Sequence, residues 1–211
     1  METVDIMEYV CLVVTLLMFC TGIVPCSSMY KSGSTKNVPF EIFLLSVVSC
    51  SGMFHYGLLI NNMTLAFLNG VGLFLQICYV AVYLMCVRSK SWPMTLILLS
   101  AVYLLGLYYY LFAVVVYEPE FSSTLGQSAS LVTMFILCLP IFEVISNFRN
   151  KNCDGMPLVM LAGGTVCGAS WLFYGMLLDD PNIYAPNIPG VIVNALKLSA
   201  VALYSGKAKR Y

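Results

Sequence analysis

Two asparagines and one tryptophan are the residues of this chain whose type and spacing suit them to hold a small polar molecule. Asn69 and Asn187 each stand thirteen positions after the tyrosine of a Tyr-Gly pair, Tyr56-Gly57 in one case and Tyr174-Gly175 in the other. Each opens an Asn-x-x-Gly sequence, closed by Gly72 and Gly190. Both lie in apolar runs. A carboxamide has two N–H donors and one acceptor oxygen, so in hydrocarbon it must be paired or face a cavity. Two carboxamides across a polar slot suit the hydroxyls of a sugar, because each can donate and accept. Hydrogen bonding between helices is the competing use of a membrane asparagine, and the duplication favours ligand contact over it. Trp171, in Trp-Leu-Phe-Tyr-Gly, lies about two turns inside its apolar run rather than at an interface. Its indole offers a flat apolar face to a pyranose ring and an N–H to a hydroxyl. The equivalent position in the first copy is Met53.

That equivalence rests on an internal duplication. Adding 118 to a position carries Tyr56-Gly57 onto Tyr174-Gly175, Pro39 onto Pro157, and the Gly-Leu-Leu-Ile-Asn-Asn of 57–62 onto the Gly-Met-Leu-Leu-Asp-Asp of 175–180. Matches of this kind in one register mark a repeat. Four prolines also fall in the paired segments. Proline removes a backbone hydrogen bond and loosens a membrane helix locally, which suits a hinge. Pro25 and Pro140 miss the 118 register by three residues, which reads as a small indel in the first connection. Pro39 and Pro157 serve equally as the first residues of helices.

Four other groups are ionisable within apolar runs. Glu41 and Glu143 stand within about two turns of one membrane face and can reach it, whereas Lys197 is deeper and must snorkel or pair. His55 adjoins Tyr56 and reads as a neutral, hydrogen-bonded side chain. Asn62-Met63-Thr64 matches a glycosylation sequon on a very short connection. No nucleophile, base and orienting group fall together, so an enzyme is not expected, nor is a metal or other cofactor.

The elements that carry these residues are membrane helices. The composition is 60% hydrophobic and 9% charged with mean hydropathy +0.89, whereas soluble domains are about 25% charged. Apolar runs of bilayer length occur at roughly 8–29, 38–59, 65–87, 93–116, 126–148, 157–178 and 184–205. The short connections make a single integral membrane domain with little outside the bilayer. The segment before the first run carries Glu2, Asp5 and Glu8 and no Lys or Arg, so it is expected to be a retained helix rather than a cleavable signal. The cysteines read as small hydrophobes, not as a disulfide framework. Net charge is zero, and nothing suggests a nucleic-acid partner.

Charge sets the orientation. Lys31 and Lys36 follow span one, Arg88 and Lys90 span three, Arg149 and Lys151 span five, and Lys207, Lys209 and Arg210 span seven. The opposite ends carry Glu118, Glu120, Asp179 and Asp180, besides the acidic N-terminal residues. By the positive-inside rule the N-terminus is extracellular or lumenal and the C-terminus cytosolic. The expected fold is an all-α membrane protein with seven transmembrane helices. Repeat one covers about 8–87, an inversion helix about 93–116 and repeat two about 126–205, followed by a short tail at 206–211. Three spans end on the side opposite their start, so one extra span is needed before a second copy can enter in the same sense. Parallel repeats with a ligand near the midplane are an architecture of secondary transporters.

Pro25-Cys26, Ser34-Thr35-Lys36 with Pro39-Phe40, Tyr56-Gly57 and Asn69-x-x-Gly72, then Pro140, Pro157, Trp171-x-x-Tyr174-Gly175, Asp180-Pro181 and Pro186-Asn187 together resemble the two repeats of an animal-type SWEET sugar transporter. The resemblance covers essentially the whole chain. It implies a 3-1-3 arrangement of two parallel three-helix repeats joined by an inversion helix. It also implies facilitated, bidirectional, uncoupled diffusion of mono- or disaccharides by alternating access, and homo-oligomers in the lipid bilayer. Asn69, Asn187, Trp171 and Met53 would line the sugar pocket, Pro25, Pro39, Pro140 and Pro157 the inner gate, and Tyr56, Tyr174 and Asp180 the outer gate. Met53 departs from the small polar residue of some relatives. Pro25-Cys26 and Pro140-Ile141 lack the glutamine of the related PQ-loop transporters.

Two rivals remain at this stage. A proton-linked PQ-loop amino-acid transporter would use Glu41, Glu143 or His55. A seven-helix receptor or retinal protein would use Lys197, although span three supplies no carboxylate as its counter-ion. The plasma membrane is the expected compartment, with the Golgi as the alternative.

Overall fold

Apolar stretches of 18 residues or more leave the backbone no partner but itself in a bilayer, and the α-helix satisfies every N–H and C=O within one segment. The computed structural model describes residues 3–36, 38–115, 117–151 and 158–204, and in them seven helical spans are long and apolar enough to cross a membrane. Span one is α1 (Thr3–Thr21) continued by α2 (Ile23–Ser32); spans two, three and four are α3 (Phe40–Leu59), α4 (Met63–Cys86) and α5 (Ser91–Ala113). Span five is α6 (Glu118–Cys138) and α7 (Ile141–Asn150), span six is α8 (Leu158–Leu177), and span seven is α9 (Pro181–Tyr184) with α10 (Asn187–Tyr204). Spans one and five begin earlier than hydropathy places them, because polar turns carrying Asp5 and Glu120 are helical too. Pro157, Cys153 and the basic tail lie outside the described residues.

Much of the surface is apolar. In α5, Leu105 is 71% and Phe112 71% exposed, and the helix buries only Pro93 and Leu111. Such a surface would drive aggregation in water, and lipid solvates it. The described cysteines are free; Cys11 is buried, most others are half-buried, and Cys20 is exposed rather than packed inside.

The chain forms two compact units, one of Phe19–Thr133 and the other uniting the residues up to Met18 with those from Met134 onward. The dividing points fall inside spans one and five. In the first unit, Gly52 and Ala129 pack so closely that a Cβ on Gly52 would lie 2.7 Å from that of Ala129. Ser49 and Thr133 share a hydrogen bond of 2.6 Å, and so do Tyr103 and Ser128. His55 Nδ1 meets the Tyr108 hydroxyl at 3.1 Å with the two rings stacked. In the second unit, the early part of α1 lies against α8 through the side-chain contacts described below, and Phe148 meets Tyr204 edge-on.

Candidate functional site

The Tyr-Gly pairs mark a turn that the chain builds twice. In the first copy the N–H groups of Ile60, Asn61 and Asn62 donate to Tyr56, Leu58 and Gly57 carbonyls at 3.0, 3.2 and 2.8 Å. In the second, Leu178, Asp179 and Asp180 donate to Tyr174, Met176 and Gly175 at 3.1, 3.2 and 3.0 Å. Asn61 and Asp179 hold φ values of 56 and 53, the left-handed region that Asn and Asp tolerate best among residues with a Cβ. The following residue caps the next helix: Asn62 Oδ1 accepts from Leu65 N–H at 2.8 Å, and Asp180 Oδ1 from Asn182 N–H at 2.9 Å. The Asn62 carbonyl oxygen of the sequon is thus engaged in capping α4. The glycine of each pair lies where the next helix crosses. A Cβ on Gly57 would stand 2.7 Å from Ala66 N, and one on Gly175 would stand 2.6 Å from Tyr184 N.

This doubled turn positions the two asparagines alike. Asn69 Nδ2 donates to Leu65 O and Asn187 Nδ2 to Ile183 O, each at 2.9 Å and each four residues back along the helix. Both side chains are half-buried. One N–H is spent on orienting each amide, and the second N–H and Oδ1 make no other hydrogen bond among the described residues. The glycine closing Asn-x-x-Gly receives the first helix of its repeat, since a Cβ on Gly72 would lie 2.7 Å from the Phe19 ring and one on Gly190 would lie 3.3 Å from Leu137 Cδ1.

Phe19 and Leu137 keep the 118 register, and so do the breaks that follow them. The chain turns at Gly22 (φ −66, ψ −19) in span one and at Pro140 (φ −66, ψ −3) in span five. This corrects the expected indel: the register runs through both breaks, and Pro25 lies three residues beyond its own. At the first break the Tyr79 ring packs on Gly22, where a Cβ would be 2.5 Å from Cε2, and the Tyr79 hydroxyl donates to Phe19 O at 3.2 Å. At the second, Pro140 has no N–H for the carbonyl of Ile136, which accepts from Leu139 N–H at 3.3 Å instead. The counterpart of Tyr79 is Lys197, which is ion-paired with Glu143. Span five thus supplies the carboxylate that span three lacks, and an ammonium held in an ion pair is no nucleophile for a Schiff base. Pro39 directly precedes α3 as its cap residue rather than interrupting a helix. Pro157 lies outside the described residues.

The remaining site residues fall in both units. Met53 and Tyr56 are buried on α3, in the unit that holds Asn69. Trp171, Tyr174, Asp180 and Asn187 belong to the other. There Trp171 and Tyr174 meet edge to face at 5.8 Å, and Tyr174 is fully buried. The Trp171 N–H, expected to meet a ligand hydroxyl, donates to Thr15 Oγ1 at 2.8 Å. The Tyr174 hydroxyl donates to Glu8 Oε1 at 2.9 Å. Sequence reasoning passed over Glu8 and Thr15 as site residues. Their signal was a polar stripe: with Cys11 between them they are spaced i, i+3, i+7, one face of an apolar helix.

The family described as "Sugar efflux transporter for intercellular exchange" matches residues 5–91 and 123–209, one match for each repeat. The chain belongs to this family. It is 28% identical over 200 residues to the sugar transporter SWEET1 of Danio rerio, covering 93% of this chain and 90% of that relative. With SWEET1 of Mus musculus it shares 31% identity over 201 residues, covering 95% and 90%. The solved structure of a eukaryotic SWEET transporter has the same fold, with a TM-score of 0.85 at 21% identity over 97% of each chain. Family membership makes the protein an integral membrane sugar transporter and not an enzyme. It also disfavours the amino-acid transporter and retinal readings of Glu41, Glu143, His55 and Lys197.

Proposed function

We propose that the protein is a sugar uniporter, carrying mono- or disaccharides in either direction by alternating access without ion coupling, and that Asn69, Asn187, Trp171 and Met53 contact the sugar. The observation that carries this reading is the pair of asparagines, each oriented by the same hydrogen bond four residues back within the same duplicated turn. Each amide keeps a donor and an acceptor, and the hydroxyl groups of a sugar need both. The breaks at Gly22 and Pro140 follow closely on the points where spans one and five pass from one compact unit to the other. We assign them the hinge motion, with Pro25 and Pro140 loosening the inner gate beside Pro39 and Pro157. Tyr56, Tyr174 and Asp180 form the outer gate.

The test is uptake of radiolabelled glucose, fructose, sucrose and trehalose into proteoliposomes, with and without an imposed pH gradient. Accumulation to equilibrium of at least one sugar, unchanged by the gradient, is expected. No uptake of any of them beside an active control refutes sugar uniport, and uptake driven by the gradient refutes the absence of coupling. From the basic residues after spans one, three and five, we place the N-terminus outside and the C-terminus in the cytosol of a plasma-membrane protein. The family resemblance adds association into homo-oligomers.

A further inference from the structure

The indole of a stacking platform must keep its plane, because a tilt of the ring forfeits contact over the whole face of a bound pyranose. Trp171 is half-buried on α8 and is held at two edges. Its N–H donates to Thr15 Oγ1 at 2.8 Å, and its ring abuts Tyr174 at an interplanar angle of 77°. Tyr174 is tied in turn to Glu8. Glu8 and Thr15 lie two turns apart on α1, so one helix clamps both rings of α8. Thr15 is only 8% exposed, and its oxygen lies 3.6 Å from Cys167 Sγ. When its hydroxyl proton is directed at that sulfur, a lone pair is left for the indole.

We propose that Thr15 is a positioning residue for sugar recognition: it fixes the indole plane of Trp171 and, by consuming the N–H, makes Trp171 a purely apolar stacking surface. This rests on the reading of Trp171 as a sugar contact. A consequence is that hydroxyl orientation is read by the asparagines and not by the tryptophan. Valine at position 15 has the same shape but leaves the indole N–H without its acceptor, whereas serine keeps the oxygen.

The experiment is a double-mutant cycle read by sugar uptake in proteoliposomes. Thr15→Val is expected to raise the half-saturation concentration about fivefold, the equivalent of about 1 kcal/mol for one net hydrogen bond, with the maximal rate per folded transporter within about twofold. Thr15→Ser returns the value to that of the parent. In a Trp171→Phe background, which has no N–H, Thr15→Val has no further effect. The chain has 2 tryptophans, so Trp92→Phe leaves Trp171 as the sole tryptophan, and its emission, excited at the red edge where tyrosine does not absorb, moves to shorter wavelength with Thr15→Val. An unchanged half-saturation concentration in Thr15→Val, or an equal penalty in the Trp171→Phe background, overturns the inference while Trp171 stays in the site. A half-saturation concentration unaffected by Trp171→Phe itself overturns the placement of Trp171, and the inference falls with it.

Discussion

Adding one methyl group to the glycine of either Tyr-Gly pair is expected to destabilise the protein through the same contact in both repeats. A Cβ on Gly57 would lie 2.7 Å from Ala66 N, and one on Gly175 would lie 2.6 Å from Tyr184 N. The optimal separation of nonbonded heavy atoms begins near ~3.5 Å, so each helix must retreat by about 0.8–0.9 Å. The opposing atoms cannot yield as a side-chain tip does, because Ala66 N–H donates to Asn62 O at 3.0 Å and Tyr184 N–H to Asp180 O at 3.1 Å. Moving either costs the turn as well as the contact. Overpacking of this kind costs about 1–3 kcal/mol, and a chain of this size loses about 2–4 °C in Tm per kcal/mol. Gly57→Ala and Gly175→Ala should each melt roughly 2–12 °C below the parent. Gly106, in the interior of α5, is the control: nothing lies within 4 Å of its Cβ position, and Ala there should raise stability by about 0.5–1 kcal/mol through helix propensity alone. Thermal unfolding of the detergent-solubilised protein, followed by loss of the monodisperse size-exclusion peak, measures all three. Gly57→Ala or Gly175→Ala melting at or above the parent refutes the close-crossing argument. A large loss in one with none in the other refutes the structural equivalence of the two turns.

Four further outcomes are expected. Asn69→Ala and Asn187→Ala should each lower sugar uptake at least about tenfold, the loss of hydrogen bonds worth about 1.4 kcal/mol or more, with surface expression retained; normal flux in both removes them from the site. Asn62→Ala and Asp180→Ala should each cost about 1 kcal/mol by loss of a helix N-cap, visible as a Tm decrease of a few degrees that Asn62→Ser and Asp180→Asn restore. Lys197→Met should lower Tm more than Lys197→Met combined with Glu143→Leu, because the single change leaves an uncompensated charge within a membrane span; equal Tm values mean that the pair is solvated rather than coupled. Pro140→Ala should slow exchange of labelled sugar across the membrane while leaving equilibrium sugar binding within about twofold, and an unaltered exchange rate removes the break of span five from the transport cycle.

Much of the fold could be read along the chain. Seven apolar runs of bilayer length have no alternative to the helix, and the 118-residue register predicted which positions would share an environment. That register held at the level of single hydrogen bonds in the turns after the Tyr-Gly pairs and in the amides of Asn69 and Asn187, while the caps at Asn62 and Asp180 share the capping position but bond the third and the second residue on. It held further than the prolines suggested. Pro25 and Pro140 invited an indel because they share a residue type, yet the structural counterpart of Pro140 is Gly22. The helix is interrupted at Pro140, which has no N–H, and at Gly22, on which the Tyr79 ring packs, so two different residues stand at equivalent interruptions. Tyr79 and its counterpart Lys197 show the same substitution of means, a hydroxyl bonded to the Phe19 carbonyl in one copy and an ion pair with Glu143 in the other.

The sequence sufficed for what is periodic: the number of spans and most of the repeat register. These depend on hydrophobic length and on the recurrence of residue types at one offset, which one-dimensional spacing encodes. Tertiary packing was needed for what depends on a partner more than 150 residues away. It turned the Trp171 N–H from a ligand donor into a bond to Thr15, took the Tyr174 hydroxyl to Glu8, and drew the early part of span one to span six. An indole or phenol can satisfy its donor equally well with a ligand, water or a side chain. The choice rests on which acceptor the fold brings within 3 Å, and no spacing along a single helix contains that distance.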